Sequence, residues 1–159
     1  MLLDSRNEFC DATSLNTGAA GTYLLGNQID LNNNGGALTP GQIGATDDVY
    51  LVISAQTGIT TAGAAGTVQF LLASDDTASI ATNGTATVHA MTRAFTTGST
   101  AIAEGTVLAV IELPKSFTYE RYLGILQVTG TTALNAGKID AFLTADPAMW
   151  AAYNSPAQA

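Results

Sequence analysis

Few side chains in this sequence have the types that nucleophilic catalysis uses. His89 is the only histidine and Cys10 the only cysteine, so a Ser–His or Cys–His pair would have to use His89 as its base. No nucleophile elbow surrounds either residue, and His89 alternates with Thr87 and Met91 inside a predicted strand. We predict a satisfied or surface strand histidine, no catalytic residue, and a protein that is not an enzyme.

The sequence also contains few candidates for metal ligands or for a pair of catalytic carboxylates. One histidine and one cysteine cannot supply the three or four ligands of a zinc site. The acidic pairs Asp47-Asp48 and Asp75-Asp76 lie at strand ends without the spacing of a calcium loop, and loop aspartates more often cap turns. No two carboxylates stand out as the opposed pair of a glycosidase. We predict no metal and no cofactor.

The charge balance excludes two further classes of partner. Only 11% of the residues are charged, and 5 Lys and Arg stand against 13 Asp and Glu, for a net charge of −8. Such a chain cannot neutralise a row of phosphates or hold an anionic lipid surface, so we predict no nucleic-acid and no membrane partner. A surface of Thr, Ser, Asn, Gly and Ala is instead easily desolvated when another protein covers it.

The elements that must position these residues are short strands. β-type runs alternate with connections rich in Gly, Thr, Asn and Ala, which is turn chemistry. The predicted strands are "TYLLGNQIDL", "DVYLVISAQ", "TVQFLLAS", "ATVHAMTRAF", "TVLAVIEL", "RYLGILQVTG" and "KIDAFLTA". Without crossover helices they predict an all-β antiparallel sandwich of the jelly-roll or immunoglobulin kind. A short helix near residues 7–12 and one turn opening at Asp146-Pro147 complete the prediction.

The chain length of 159 residues indicates one domain over residues 1–146, followed by a C-terminal tail, 147–159. The N-terminus has no basic segment leading into an apolar run, so we expect no signal peptide and synthesis in a reducing cytoplasm. The tail contains Trp150 and Tyr153, and aromatics in a terminal segment predict docking on this sandwich or on a neighbouring subunit.

One strand carries apolar residues on both of its faces. In "YERYLGILQV", residues 119–128, one side holds Leu123 and Ile125 and the other Leu126 and Val128. A strand at the surface of a monomer should have one wet face. We therefore predict an interface with a sister subunit or another protein. Its residues are Tyr119, Arg121, Tyr122, Leu123, Ile125, Trp150 and Tyr153.

The order of segments also resembles a known family. The pieces are "LDSRNEFCDATSL", "VYLVISAQT", "GTVQFLLASDDTAS", "LP" followed by "RYLGILQVTG", and "GKIDAFLTAD". In this order they resemble the capsid cement, or decoration, proteins of short-tailed phages of the Bordetella-phage type. The resemblance covers most of residues 1–146.

The resemblance implies a jelly-roll protein on the outer surface of an icosahedral virion. Its partners would be the major capsid protein and itself, as a homo-oligomer with a dimer favoured over a trimer. There it would bridge capsomers and stabilise the shell. The alternatives are a carbohydrate-binding β-sandwich module, for which Tyr23, Tyr50, Tyr119 and Tyr122 are candidates, another accessory virion structural protein, or a capsid-associated hydrolase or lyase.

Overall fold

The described part of the chain forms nine strands in two sheets. The computed structural model describes residues 5–32, 48–61, 63, 65–97, 101–115, 117–148 and 150. A 3-10 helix, Ser5–Asn7, precedes the strands β1 (Glu8–Ser14), β2 (Gly21–Asp30), β3 (Tyr50–Thr61), β4 (Thr67–Asp75), β5 (Thr87–Met91), β6 (Phe95–Thr96), β7 (Val107–Glu112), β8 (Tyr122–Gly130) and β9 (Leu134–Thr144).

The strand order is that of a jelly roll. Sheet I has the order β1-β9-β3-β7, and sheet II has the order β2-β8-β4-β5, with β6 pairing beside β5 on β4. All pairs are antiparallel, and the chain changes sheet at most connections, as a double Greek key requires. The prediction of an all-β antiparallel sandwich is confirmed.

The core lies between the two sheets and follows the period-two alternation of the sequence. Leu51, Ile53 and Ala55 of β3 point into it together, and Ile139 and Leu143 of β9 do the same. In β7 the alternation is interrupted by one extra residue. Ile53 pairs with Ala109 and the next residue, Ser54, pairs with Val107, so Leu108 lies between two residues that face consecutive residues of β3. Leu108 consequently joins the core cluster.

The predicted helix near residues 7–12 is wrong for residues 8–12, which belong to strand β1, and the 3-10 helix Ser5–Asn7 reaches only residue 7. Register shifts on both sides of Cys10 in the pairing with β9 allow consecutive residues to face inward, and Phe9 and Cys10 are both fully buried. The turn predicted at Asp146-Pro147 is present. The Asp146 carboxylate accepts a hydrogen bond from the Ala148 N–H at 3.2 Å, and Trp150 N–H donates to the Pro147 carbonyl at 3.0 Å.

The connection between β4 and β5, residues 76–86, folds over the outer face of sheet II. Its Ile80 is buried and forms a second small apolar cluster with Ala73 and Leu126. The loop is shaped by Asp75, whose carboxylate accepts hydrogen bonds from the Thr77 and Ala81 backbone N–H groups at 3.1 and 3.0 Å. The second apolar face of β8 is thus covered in part by the chain itself, where the sequence led us to expect another protein.

Candidate functional site

A serine, a histidine and a glutamate meet at one end of sheet II. His89 Nε2 lies 2.7 Å from Ser74 Oγ, and the Glu120 carboxylate approaches the same Oγ at 3.4 Å while its backbone N–H donates to it at 3.2 Å. Strand β4 supplies Ser74, β5 supplies His89, and the segment before β8 supplies Glu120. The residue types match those of a hydrolytic triad.

Their arrangement does not match one. In a triad the carboxylate bonds the histidine Nδ1 and orients the ring, whereas here the carboxylate of Glu120 contacts the serine. His89 Nδ1 is buried and has no hydrogen-bond partner among the described residues. Ser74 is fully buried, so its hydroxyl is closed to a substrate. The cluster instead connects two strands to the 117–120 segment.

Burial sets the protonation of this cluster. The imidazole of His89 stacks on the ring of Tyr119, with centroids 4.1 Å apart. Desolvation lowers the pKa of His89 below its ordinary value and raises the pKa of Tyr119 to about 12. Burial also raises the pKa of Cys10 to about 11, so that thiol is protonated and a poor nucleophile at neutral pH.

Three of the predicted interface residues lie in the interior. Leu123 and Ile125 are fully buried between the sheets. Tyr119 is also buried, and its hydroxyl donates to the Pro114 carbonyl at 2.8 Å. Because their contacts are with this chain's own core, we do not include these three residues in a docking surface.

Arg121 and Tyr122 remain at the surface. The Arg121 guanidinium makes two hydrogen bonds to the Asp30 carboxylate, at 3.0 and 2.8 Å, and its Cζ lies 4.9 Å from the centroid of the Tyr122 ring. These contacts join the end of β2 to the start of β8. The role of Arg121 and Tyr122 in an interface stays a prediction.

The beginning of the tail contacts its own subunit. The Trp150 ring packs edge-on against Phe142 of β9, with centroids 5.3 Å apart and planes at 66°. Tyr153 lies outside the described residues. Docking of the tail on a neighbouring subunit stays a prediction.

An apolar strip, of which the sequence indicated only Val128, lies on the outer face of sheet II. It consists of Leu71, Val88, Met91 and Val128, of which Val88 is 40% and Met91 58% exposed. A groove of about 100 Å³ adjoins it. The residues that line the groove are Thr22, Leu71, Ala81, Thr82, Gly84, Ala86, Val88, Leu126 and Val128.

A bulge at His89 explains why period-two alternation does not predict that Val88 and Met91 share a face. Val88 pairs with Ala73 and Ala90 pairs with Leu72, so β5 has one residue more than β4 at this point. His89 and Ala90 therefore both turn inward, and Val88 and Met91, three residues apart, share the outer face. No local pattern in "TVHAM" carries this signal.

Within the described part of the chain, no group of three or more His, Cys, Asp or Glu residues could hold a metal ion. None of its helices has the length and apolar character needed to cross a bilayer.

The fold and its surface define the class of this protein as a jelly-roll β-sandwich that displays an apolar strip on a weakly charged exterior. The chain belongs to the Bbp16 family, a family of Bordetella phage proteins, whose model matches residues 9–143, from β1 into β9. A comparison with curated proteins found no match. The family match agrees with the phage origin that the order of segments implied.

Proposed function

We propose that this protein is a capsid cement protein, which binds the outer surface of an icosahedral phage shell and bridges its capsomers. The observation that carries the proposal is the apolar strip around Val88 and Met91, in a chain from a phage protein family. Exposed apolar side chains that adjoin a groove are typical of a protein-binding surface. We propose a non-catalytic role on the outside of the virion, after synthesis in the host cytoplasm.

The charges of the chain support a protein partner rather than the genome. The net charge is −8, and two of the few cations are neutralised internally, Lys115 by Asp48 and Glu112 and Arg121 by Asp30. A negatively charged surface is repelled by DNA phosphates. The exterior of the shell is the place where such a protein avoids them.

Stabilisation would follow from binding linkage. A protein that binds assembled capsomers, and not separated ones, stabilises the assembly by RT ln(1 + [L]/Kd), about 2.7 kcal/mol per site at a hundredfold excess over Kd. A copy that contacts two capsomers also gains from effective concentration. We propose the major capsid protein as the partner. Self-association, with a dimer favoured over a trimer, stays a prediction that sedimentation tests.

The test uses shells assembled from the major capsid protein of the same phage without this chain. Labelled protein should sediment with the shells at a saturating stoichiometry, decorate their exterior in electron micrographs, and raise the temperature at which they break. Unlabelled protein should compete for the sites. Absence of binding, or binding that leaves shell stability unchanged, would contradict the proposal.

The carbohydrate-binding alternative has less support in the structure. Tyr119 is buried against His89, and the Tyr23 hydroxyl donates to the Ala19 carbonyl at 2.6 Å. Tyr50 lies in sheet I, while Tyr23 and Tyr122 lie in sheet II. A sugar platform needs aromatic rings exposed together, and these four tyrosines are not so arranged. Binding to a glycan array that does not require shells would revive this alternative.

A further inference from the structure

Strand β5 forms one edge of sheet II. Among the described strands it pairs only with β4. The main-chain N–H and C=O groups on the far side of an edge strand can pair with another extended chain. Edge strands of monomeric proteins are therefore usually protected by charges, prolines or covering segments.

The edge at β5 lacks the charged residues that the other three edges have. Strand β1 contains Glu8 and Asp11, β2 contains Asp30, and β7 contains Glu112. The sequence of β5, "TVHAM", contains no Asp, Glu, Lys, Arg or Pro, and its one titratable side chain, His89, is buried. The strand at this edge of sheet II thus contains no charged residue.

Apolar surface lies directly beside this edge. Val88 and Met91 point to the outer face of sheet II, and Val88 also lines the groove of about 100 Å³ together with Leu126 and Val128. A strand added at β5 would place alternate side chains on the same outer face, next to Val88 and Met91.

The charge at one end of the edge specifies the partner further. Glu120 Oε1 lies 3.4 Å from Thr87 Oγ1, at the start of β5, and Glu120 forms no ion pair among the described residues. The cation at the other end, Arg93, lies over the Phe95 ring at 4.6 Å. Two copies that each carry a net charge of −8 repel one another. The charges therefore favour a segment with a basic residue over a second copy of this chain.

We propose that β5 accepts an extended segment of the shell protein as an added strand, with apolar side chains at alternate positions and a Lys or Arg beside Glu120. The inference rests on the capsid-binding function proposed above. Main-chain hydrogen bonds would supply affinity, and contacts with Val88, Met91 and Glu120 would supply register and specificity, as in other cases of strand addition.

Amide hydrogen exchange is the direct test, because strand addition protects main-chain N–H groups. Wild-type protein is compared free and bound to shells that lack it. We expect slower exchange on binding within residues 87–91. Binding without added protection there would overturn the inference and leave the cement function standing. Protection that develops with protein concentration in the absence of shells would make a second copy the occupant and would also overturn it.

Matched substitutions test the same edge by affinity. Val88→Lys places a charge beside the added strand and should weaken shell binding about tenfold or more, because that charge would be desolvated. Asn27→Lys makes the same change in charge on β2, at an exposed position on the opposite edge of sheet II, and should bind within about twofold of wild type. Thermal melting confirms that both variants fold. Equal binding by both variants would overturn the inference.

A second pair of variants tests the negative charge of Glu120 at the end of β5. Glu120→Gln should weaken shell binding about two- to fivefold, the usual effect of one exposed ion pair, and should reduce its salt dependence. Glu104→Gln removes an exposed carboxylate elsewhere and should change neither quantity. Unchanged affinity and salt dependence of the Glu120 variant would overturn the assignment of a basic residue. If wild-type protein fails to bind shells at all, the cement function itself is wrong and the strand-addition inference falls with it.

Discussion

The Cδ1 methyl of Ile80 occupies the space in which a side chain at residue 124 would stand: a Cβ added to Gly124 would lie 2.6 Å from it. Glycine in β8 thus leaves room for the 76–86 loop to pack on the outer face of sheet II. The two residues belong to segments far apart in the sequence, and Ala81 and Thr82, which follow Ile80, line the groove on this face of sheet II.

Ile80→Ala should lower the free energy of unfolding by about 2–3 kcal/mol. Removing a buried isoleucine side chain leaves a cavity, and the value lies at the lower end of the usual range because the cluster is small. Urea denaturation measures the change. The neighbouring exposed Ser79→Ala should stay within about 0.5 kcal/mol of wild type. A loss for Ile80→Ala no larger than that of the control would show that the loop does not pack on the sheet.

Gly124→Val should displace the 76–86 loop, because the new side chain competes with Ile80 for the same space. We expect faster amide exchange in that loop with little change elsewhere in the molecule. Gly21→Val is the matched control: a Cβ at Gly21 would meet the Tyr23 ring at 3.6 Å or more, an ordinary contact distance. Equal loop exchange in the two variants would contradict the fit between Ile80 and Gly124.

His89 should make the fold less stable as the pH falls. Burial lowers the pKa of His89 below its ordinary value of 6.5, so the unfolded chain takes up a proton at a pH where the folded chain does not. The stabilisation is complete above pH 6.5 and is lost as the pH falls from there through the folded-state pKa. Below both pKa values the loss is constant.

The measurement for His89 is the free energy of unfolding by urea between about pH 7.5 and pH 5. His89→Gln does not titrate, and it retains a side-chain group that can bond Ser74. As the pH falls, wild type should therefore lose more free energy of unfolding than this variant does. Parallel pH profiles would show that His89 is not held neutral in the fold.

Thr131→Gly should raise the free energy of unfolding by about 0.5–1 kcal/mol. Thr131 has a φ of 66°, a left-handed conformation that is costly for a β-branched residue and free of that cost for glycine. The neighbouring Thr132→Gly should lower stability, because its backbone needs no such freedom and glycine gains entropy in the unfolded chain. Chemical denaturation of the two variants distinguishes these effects. A loss of stability in both would contradict the expected relief of strain.

The inward face of several strands could be predicted from the sequence, and the surface site could not. Leu51, Ile53 and Ala55 alternate with their neighbours and are all buried in the core. The pairing of β5 with β4 contains an extra residue at His89, and this long-range detail places Val88 and Met91 on one face. Alternation within "TVHAM" would have placed them on opposite faces.

Two residues of the predicted interface lie in the core for a related reason. Leu123 and Ile125 were predicted to contact another protein because β8 is apolar on both faces, yet both lie in the core. The face opposite to them is covered in part by Ile80 from a loop that precedes β8 by some forty residues. A single strand's composition shows that both faces need cover, and it does not show which segment supplies it.

Composition and alternation, which are local properties, determined by themselves that this chain is an all-β sandwich with little charge. The tertiary structure alone decided which apolar side chains remain exposed, because that depends on strand register and on where a distant loop packs. The tertiary structure alone also brings together Ser74, His89 and Glu120, since these residues belong to three separate segments that meet only in the folded protein.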